Sequence, residues 1–116
     1  MKTNSFTLTT LSENPEYYES VVALIEKEFH YSSDLSYAKD FALLMDPLNF
    51  ENCYLFVDSE TNQVVSHLAV CPRVMVKSNE EIKVAFIGGI ATVKEYRARD
   101  LFKGLMNHAL LEHSRE

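Results

Sequence analysis

The spacing of apolar residues changes along the chain, and its first part predicts a strand followed by two helices. Residues 6–11 alternate apolar and hydroxyl side chains, as is typical of a strand. Asn14 and Pro15 then favour a helix start, because asparagine can accept hydrogen bonds from free amides and proline fits the first turn. The helical stripe that follows consists of Tyr17, Val21, Leu24, Ile25 and Phe29. A second helix is predicted over residues 35–45 and ends before Pro47, because proline disfavours helical geometry in the preceding residue.

The middle of the chain has the pattern of an antiparallel sheet. Apolar runs over residues 53–57, 63–77 and 82–92 predict three strands joined by turns. Cys71–Pro72 interrupts the second run, and because proline has no amide to donate, we expect a bulge or bend there. The pair Gly88–Gly89 also predicts a bulge, or a backbone that another group approaches closely, because glycine weakens a regular strand.

The last segment returns to helical spacing, from Arg99 to about His113. Its predicted buried side consists of Leu101, Phe102, Leu105, Met106, His108, Ala109 and Leu110. The order strand, two helices, three-stranded meander and helix indicates a single α+β domain over residues 1–116, with helices packed on an antiparallel sheet.

Composition narrows the classes of protein to which this domain can belong. The chain has 116 residues and a formal net charge of -6, which argues against a general binder of nucleic acid or anionic membranes, since such binding needs clustered cations. No apolar run approaches the roughly 20 residues that cross a bilayer. The first residues lack the apolar stretch of a secretory signal, so we expect a cytoplasmic protein. Cys53 and Cys71 lack zinc-ligand spacing, so we expect two buried, reduced thiols and no metal.

One local conflict indicates a binding site. Lys94, Arg97 and Arg99 lie at the predicted start of the last helix, where the positive end of the helix dipole disfavours cations. A bound anion would resolve the conflict, because a strand, loop and helix in this order can bind phosphate through backbone amides and nearby arginine. The alternative is a solvated turn in which these cations pair with Glu95 and Asp100.

The segment at residues 87–106 resembles the fourth strand, pyrophosphate loop and third helix of GNAT-type N-acetyltransferases. In that family an Arg/Gln-x-x-Gly-x-Gly/Ala loop holds the pyrophosphate of acetyl-CoA. Arg97 matches the first position of this loop, and Tyr96 matches the aromatic residue that usually precedes it. Residues 64–68 and 71–73 are similar to the second and third strands of the enhanced-intracellular-survival type of this family.

The resemblance implies a GNAT-like fold, the fold of acyl-CoA N-acyltransferases, and transfer of acetyl from acetyl-CoA to a primary amine by direct attack. The amine would belong to a small molecule or a peptide. Pantetheine and thioester would contact the backbone of Ile90, Ala91 and Thr92. The pyrophosphate would contact a loop made of Arg97, Ala98, Arg99, Asp100, Leu101 and Phe102.

Departures from the family pattern keep other functions open. Asp100 and Phe102 occupy the positions of the two loop glycines, and the Asp100 carboxylate would repel phosphate. The family fold continues past its third helix with further strands. We therefore expect an N-terminal part of a longer protein or a truncated relative, in which a missing C-terminal domain or a second copy in a homodimer covers the last strand. A catalytically inactive GNAT-like interaction or dimerisation module is the alternative to an enzyme.

The sequence assigns no residue to proton transfer. His67 could accept a proton because histidine titrates near neutrality, or it could be a buried strand histidine satisfied by hydrogen bonds. Acidic residues of the early helices could attract an amine substrate, although exposed helix faces are commonly acidic. These residues are Glu26, Glu28, Asp34 and Asp40.

Overall fold

The computed structural model describes residues 5–29 and 42–114. Its helices and strands are β1 (Phe6–Thr10), α1 (Tyr18–Glu28), α2 (Ala42–Met45), β2 (Cys53–Asp58), β3 (Val64–Lys77), β4 (Glu80–Thr92) and α3 (Leu101–His113). Short 3-10 segments precede α1, β2 and α3, at Pro15–Tyr17, Pro47–Asn52 and Lys94–Arg99. The α+β layout is confirmed over these ranges, and the part of the predicted second helix before residue 42 lies outside the described residues.

The four strands form one antiparallel sheet in the order β1-β2-β3-β4, so each strand pairs with its neighbours in the chain. β3 and β4 form the longest pair, and the turn between them places Ser78 and Asn79 at φ of 52° and 66°. Two consecutive positive φ angles are typical of a type I′ hairpin, whose twist suits antiparallel strands. β1 and β4 are the two edge strands of the sheet that the described residues form.

Helices cover both faces of this sheet. Successive side chains of a strand point to opposite faces, so each inner strand contributes to two cores. The core beneath α1 and α2 includes Val21, Ile25, Leu44, Leu55 and Ala69. The core beneath α3 consists of Tyr54, Leu68, Val70, Leu105 and Ala109. Among the described residues, no helix has the length and apolar character that a membrane span needs.

Of the bulge or bend predicted at Cys71–Pro72, the bulge is wrong. β3 passes through Pro72 without a register shift, and Pro72 pairs with Ala85 of β4. The pairing of β2 with β3 reaches only as far as Ala69, so beyond that residue β3 has a described partner on one side alone. Proline is tolerated in such a position because its missing amide can face the side that carries no ladder.

Two further local predictions need correction. Asn14 does not cap the first helix, because its side-chain oxygen accepts a hydrogen bond from the Thr9 hydroxyl at 2.7 Å instead. Phe102 and Leu110 were expected on the buried side of the last helix, yet they are 44% and 56% exposed. The buried stripe of α3 is narrower than its sequence pattern and consists of Leu101, Leu105 and Ala109.

Cys53 and Cys71 are free and buried, as predicted. Burial raises the pKa of Cys53 to about 12, and the neighbouring Cys71 adds to the rise. Because the thiolate is the reactive form, the raised pKa gives Cys53 a packing role rather than a chemical one.

Candidate functional site

β4 carries a bulge at the glycine pair. The register changes between Ala69, opposite Gly88, and His67, opposite Ala91, so that two residues of β4 face one residue of β3. Gly89 has a φ of 62°, a conformation that glycine adopts at little cost. The predicted bulge is confirmed.

The other glycine of the pair is closely approached by α2. A Cβ added to Gly88 would lie 2.7 Å from Cδ1 of Leu44, which is nearer than carbon atoms pack. The two glycines therefore have different structural roles. Gly88 leaves room for a helix, and Gly89 supplies the positive φ of the bulge.

His67 lies beside the bulge, on the face of the sheet that α1 and α2 cover. Its Nδ1 is 2.8 Å from the carbonyl oxygen of Gly89, and because a carbonyl only accepts, Nδ1 donates this hydrogen bond. The side chain is fully buried, and burial lowers the pKa of His67 to about 4 against the opposing effect of the Gly89 bond. Nε2 has no hydrogen-bond partner among the described residues. The interpretation as a satisfied buried histidine therefore holds for Nδ1 alone.

The loop between β4 and α3 is the 3-10 segment Lys94–Arg99, which two contacts anchor. The Val93 amide just before it donates to the Val65 carbonyl at 2.8 Å. Within it, the Tyr96 hydroxyl donates to Oδ2 of Asp58 at 2.9 Å. Asp58 is fully buried at the end of β2, so the second bond joins the loop to an inner strand of the sheet.

Asp100 connects this loop to α3 in the left-handed conformation, with φ of 56° and ψ of 26°. Residues other than glycine rarely adopt this conformation, and aspartate is among the more tolerant of them. The Asp100 side chain makes no capping hydrogen bond to the helix, so it does not act as an ordinary helix-start residue. The position where the resembling family has glycine thus has a glycine-like backbone here.

The bulge, the loop and the start of α3 line one pocket of about 410 Å³. Six of the nine residues that the resemblance assigns to coenzyme binding surround it: Ile90, Ala91, Thr92, Arg97, Asp100 and Phe102. Leu101 is buried at the start of α3 and does not belong to the lining. Ala98 and Arg99 contribute backbone to the loop, and their side chains lie outside the described part of the structure.

Arg97 makes its contacts away from its own loop. Its guanidinium forms an ion pair with Glu28 at the end of α1, and its Nε donates to the Thr92 carbonyl at 3.3 Å. The Arg97 side chain nevertheless remains 57% exposed, whereas that of Glu28 is 13% exposed. For Arg97, the predicted pairing with Glu95 or Asp100 is therefore wrong, because α1 brings a nearer carboxylate.

Three residues of the pocket were not predicted as coenzyme contacts. Glu28 and Phe29 come from the end of α1, and Lys103 comes from the first turn of α3. From the sequence, only a general acidic role could be predicted for Glu28, because it lies 69 positions from Arg97. Within residues 5–29 and 42–114, no three His, Cys, Asp or Glu side chains are grouped so as to hold a metal.

A larger, open hollow of about 1220 Å³ lies between α1, the β2–β3 turn and the loop. It shares Glu28 and Arg97 with the smaller pocket but includes no residue of the bulge. The smaller pocket is the place where the bulged strand and the cationic loop meet. We therefore assign the candidate site to the smaller pocket.

Solved structures with the same fold are acyltransferases. A GCN5-related N-acetyltransferase from Kribbella flavida matches with a TM-score of 0.74 and 19% identity, over 97% of this chain and 28% of that one. N-myristoyltransferase from Saccharomyces cerevisiae with bound myristoyl-CoA matches with a TM-score of 0.71 and 18% identity, over 95% and 28%. An aminoglycoside acetyltransferase from an uncultured soil metagenomic sample, in complex with sisomicin, matches with a TM-score of 0.65 and 17% identity, over 95% and 70%.

At these identities the likeness shows the fold, which confirms the predicted GNAT-like class. The chain spans just over a quarter of the length of the Kribbella and Saccharomyces proteins. The family model for the acetyltransferase (GNAT) domain matches residues 12–116. The chain therefore belongs to the GNAT acetyltransferase family. No protein of curated function matches it in sequence.

Proposed function

We propose that this chain binds acetyl-CoA and forms the coenzyme-binding part of an N-acetyltransferase that acetylates a primary amine by direct attack on the thioester. The observation that carries the proposal is that the bulge of β4 and the loop at Arg97 line the same pocket. Membership of the GNAT acetyltransferase family supports the proposal independently. The likeness of residues 64–68 and 71–73 to the enhanced-intracellular-survival type is the ground on which we propose that the chain is similar to that type.

Binding would use backbone for the pantetheine arm and cations for the phosphates. The arm and thioester would lie against the backbone of Ile90, Ala91 and Thr92. Amides of the loop and the Arg97 guanidinium would donate hydrogen bonds to the pyrophosphate. Acetyl-CoA supplies the activated acetyl group, and a backbone amide at the bulge would stabilise negative charge that develops on the carbonyl oxygen.

The charges of the pocket predict modest affinity. Arg97 and Lys103 attract phosphate, whereas Glu28 and Asp100 line the same pocket and repel it. Arg97 would also have to exchange its Glu28 partner for phosphate. The Arg97–Glu28 ion pair and the contact between Arg97 and phosphate that would replace it are both partly solvated. We therefore expect a dissociation constant in the micromolar range rather than a lower one.

Amine attack requires a neutral nitrogen, so a group that accepts its proton is needed. His67 is a poor candidate, because it is fully buried and its pKa is about 4, well below neutrality. We assign no general base among the described residues. The acceptor amine would be deprotonated by solvent or by a group outside the described part.

For the acceptor we propose a small molecule that carries several amines, with a peptide amine as the second choice. The net charge of -6 favours the approach of a polycation. A solved structure with the same fold is an aminoglycoside acetyltransferase in complex with sisomicin, and this likeness supports the choice.

The second candidate function is a non-catalytic interaction module of GNAT fold. Two observations favour it: Asp100 places a carboxylate in the pocket, and Arg97 is already paired with Glu28. A module of this kind would keep the fold and its free edge strand while it loses the coenzyme.

Calorimetric titration with acetyl-CoA distinguishes these two functions. We expect the wild-type chain to bind with a micromolar Kd and Arg97→Ala to weaken binding about tenfold or more, since a hydrogen bond to a charged group contributes roughly 1.5–3 kcal/mol. Lys77→Ala is the matched control, because Lys77 is an exposed cation at the far end of β3.

Titration with acetyl-pantetheine, which lacks the pyrophosphate, tests whether Arg97 contributes to affinity through the pyrophosphate. Its affinity should be the same for the wild type and for Arg97→Ala. Absence of heat with acetyl-CoA at millimolar concentration would contradict the coenzyme proposal and support the module. Equal losses in Arg97→Ala and Lys77→Ala would show that binding depends on general charge rather than on the pocket.

A further inference from the structure

The bulge of β4 is held by a side chain that the proposed binding site does not itself use. His67 is fully buried, and its Nδ1 donates to the Gly89 carbonyl at 2.8 Å, whereas Nε2 has no hydrogen-bond partner among the described residues. A buried polar atom without a partner is costly, so a histidine in this position requires a reason. A leucine would fill a similar volume without that cost.

Because the peptide group is planar, the hydrogen bond to the Gly89 carbonyl also fixes the direction of the amide on the other side of the strand. The described residues contain no cis peptide, and in a trans peptide the C=O and N–H groups point in opposite directions. Since the Gly89 carbonyl points toward His67, the Ile90 amide of the same peptide points away from His67. Ile90 lines the 410 Å³ pocket.

Gly89 alone does not hold this orientation. A glycine at positive φ also reaches other backbone conformations easily, so the peptide plane at the bulge needs an external bond to be fixed. His67 provides that bond. It lies on β3 opposite Ala91, and from there its imidazole reaches Gly89 across the register shift.

We propose that His67 is a positioning residue: by holding the Gly89 carbonyl, it sets the plane of the Gly89–Ile90 peptide and directs the Ile90 amide at the place where the thioester carbonyl would bind. The inference rests on the proposed binding of acetyl-CoA. Preorganised donors of this kind stabilise the charge that develops on the carbonyl oxygen in the transition state. The role of His67 is therefore distinct from that of a general base and requires Nδ1 but not Nε2.

Two substitutions of His67 separate these requirements. In His67→Asn, the side-chain amide can place a donor near the position of Nδ1 and has nothing at Nε2. In His67→Leu, the volume is kept and both nitrogens are lost. We expect His67→Leu to lower kcat for acetyl-CoA about 10- to 100-fold with a change in KM below threefold, and His67→Asn to remain within about fivefold of wild type.

Transfer is followed by release of the CoA thiol, with a panel of polyamines and aminoglycosides as acceptors and with water as the acceptor if no amine reacts. Amide hydrogen exchange at Gly89 and Ile90 supplies a readout that needs no turnover. Exchange there should be faster in His67→Leu than in the wild type and should return toward the wild-type rate in His67→Asn.

Three results would overturn the proposal. A His67→Leu variant with wild-type kcat would show that the bond has no catalytic consequence, and unchanged exchange at Ile90 would show that the bond does not hold the bulge. An Asn variant as slow as the Leu variant would show that Nε2 is needed and that His67 acts on protons. If the wild type neither binds nor consumes acetyl-CoA, the proposed function fails, and the exchange data still decide whether His67 fixes the peptide.

Discussion

At the scale of single residues, Arg97 has one anionic partner in the structure, Glu28, and would have a second in the phosphate of the proposed coenzyme. In this structure it pairs with the Glu28 carboxylate and donates to the Thr92 carbonyl. A phosphate group that binds in the pocket would replace the carboxylate, so the proposed coenzyme binding would exchange one anion for another. Glu28 would therefore influence the affinity even though it belongs to a helix distant in sequence.

Neutralising Glu28 should strengthen coenzyme binding. In Glu28→Gln, the competing charge is removed from the pocket, and we expect acetyl-CoA to bind about three- to tenfold more tightly, in line with the small net contribution of a partly exposed ion pair. Titration calorimetry measures the change, with Glu19→Gln on the exposed face of α1 as the control. Weaker binding in Glu28→Gln would instead mean that Glu28 orients Arg97 for phosphate.

His67 should make stability depend on pH. Burial lowers the pKa of His67 from 6.5 to about 4. Between these two pH values, His67 is protonated in the unfolded chain but neutral in the folded chain. This contribution to stability is complete above about pH 6.5 and is lost as the pH falls toward 4. Between pH 7 and pH 5, the free energy of unfolding should fall by about 2 kcal/mol more in the wild type than in His67→Leu.

Urea denaturation of both proteins at these two pH values measures that difference, and the carboxylates common to both cancel. Parallel loss of stability in wild type and His67→Leu would show that His67 is charged in the fold or accessible to water. From the sequence, His67 could be identified as a candidate, but its role as proton acceptor or as buried, hydrogen-bonded histidine could not be decided. The role depends on the Gly89 carbonyl, which only the bulge brings near His67.

At the scale of elements, the junction between the loop and α3 concentrates backbone strain at Asp100. Its φ of 56° is the conformation that a glycine would adopt there without cost, and its side chain gives no capping bond in return. The junction is therefore a place where the loop can be made more or less stable without any change in the core.

A series of substitutions at Asp100 tests this strain. Asp100→Ala should be less stable than Asp100→Gly by about 1–2 kcal/mol, because the Cβ of alanine disfavours the left-handed region, and Asp100→Asn should stay close to wild type. Urea denaturation at pH 7 ranks the three variants. Equal stability of the alanine and glycine variants would mean that the junction relaxes to a right-handed conformation.

The elements themselves followed from local patterns. The alternating runs, the turn residues and the glycine pair predicted the meander and its bulge, because these signals act between neighbours in the chain. Pro72 was misjudged because a proline is harmful only where a ladder lies on its amide side, and the sequence does not say where β2 stops. The partly exposed Phe102 shows the same limit for α3, whose pattern does not reveal how wide a stripe the sheet covers.

At the scale of the whole molecule, the outer half of the β3–β4 hairpin leaves apolar side chains exposed. They are Val74, Met75, Val76, Ile82, Phe86 and Ile87. Since β4 is an edge strand of the described sheet, these side chains lie beside backbone groups that can pair with another strand. We propose that in the 116-residue chain a second copy covers this edge, and that in a longer protein a further domain would do so.

Self-association of the chain should therefore depend on this hairpin. We expect sedimentation velocity between about 5 and 200 μM to show a concentration-dependent dimer, and Phe86→Lys to reduce it, because a charge on an edge strand opposes pairing. Leu48→Lys is the matched control, since Leu48 is 91% exposed but lies before β2. A monomer at all concentrations, or an equal effect of both variants, would exclude the hairpin as the contact.

The candidate site could be predicted only in part from the sequence. The resemblance named residues on β4 and the loop, and the structure brings six of them to one pocket. The contribution of α1 could not be foreseen, because the approach of Glu28 to Arg97 is set by how the helix packs on the sheet. Contacts between distant segments depend on packing, which no local pattern encodes.

The order of the sheet has a consequence for synthesis. Because each described strand after β1 pairs with the strand made before it, the growing polypeptide can add β2, β3 and β4 one by one as it leaves the ribosome. The strand with the glycine bulge is the fourth to emerge, followed by the loop with Arg97. The pocket beside Arg97 would thus be completed last, on strands that are already paired.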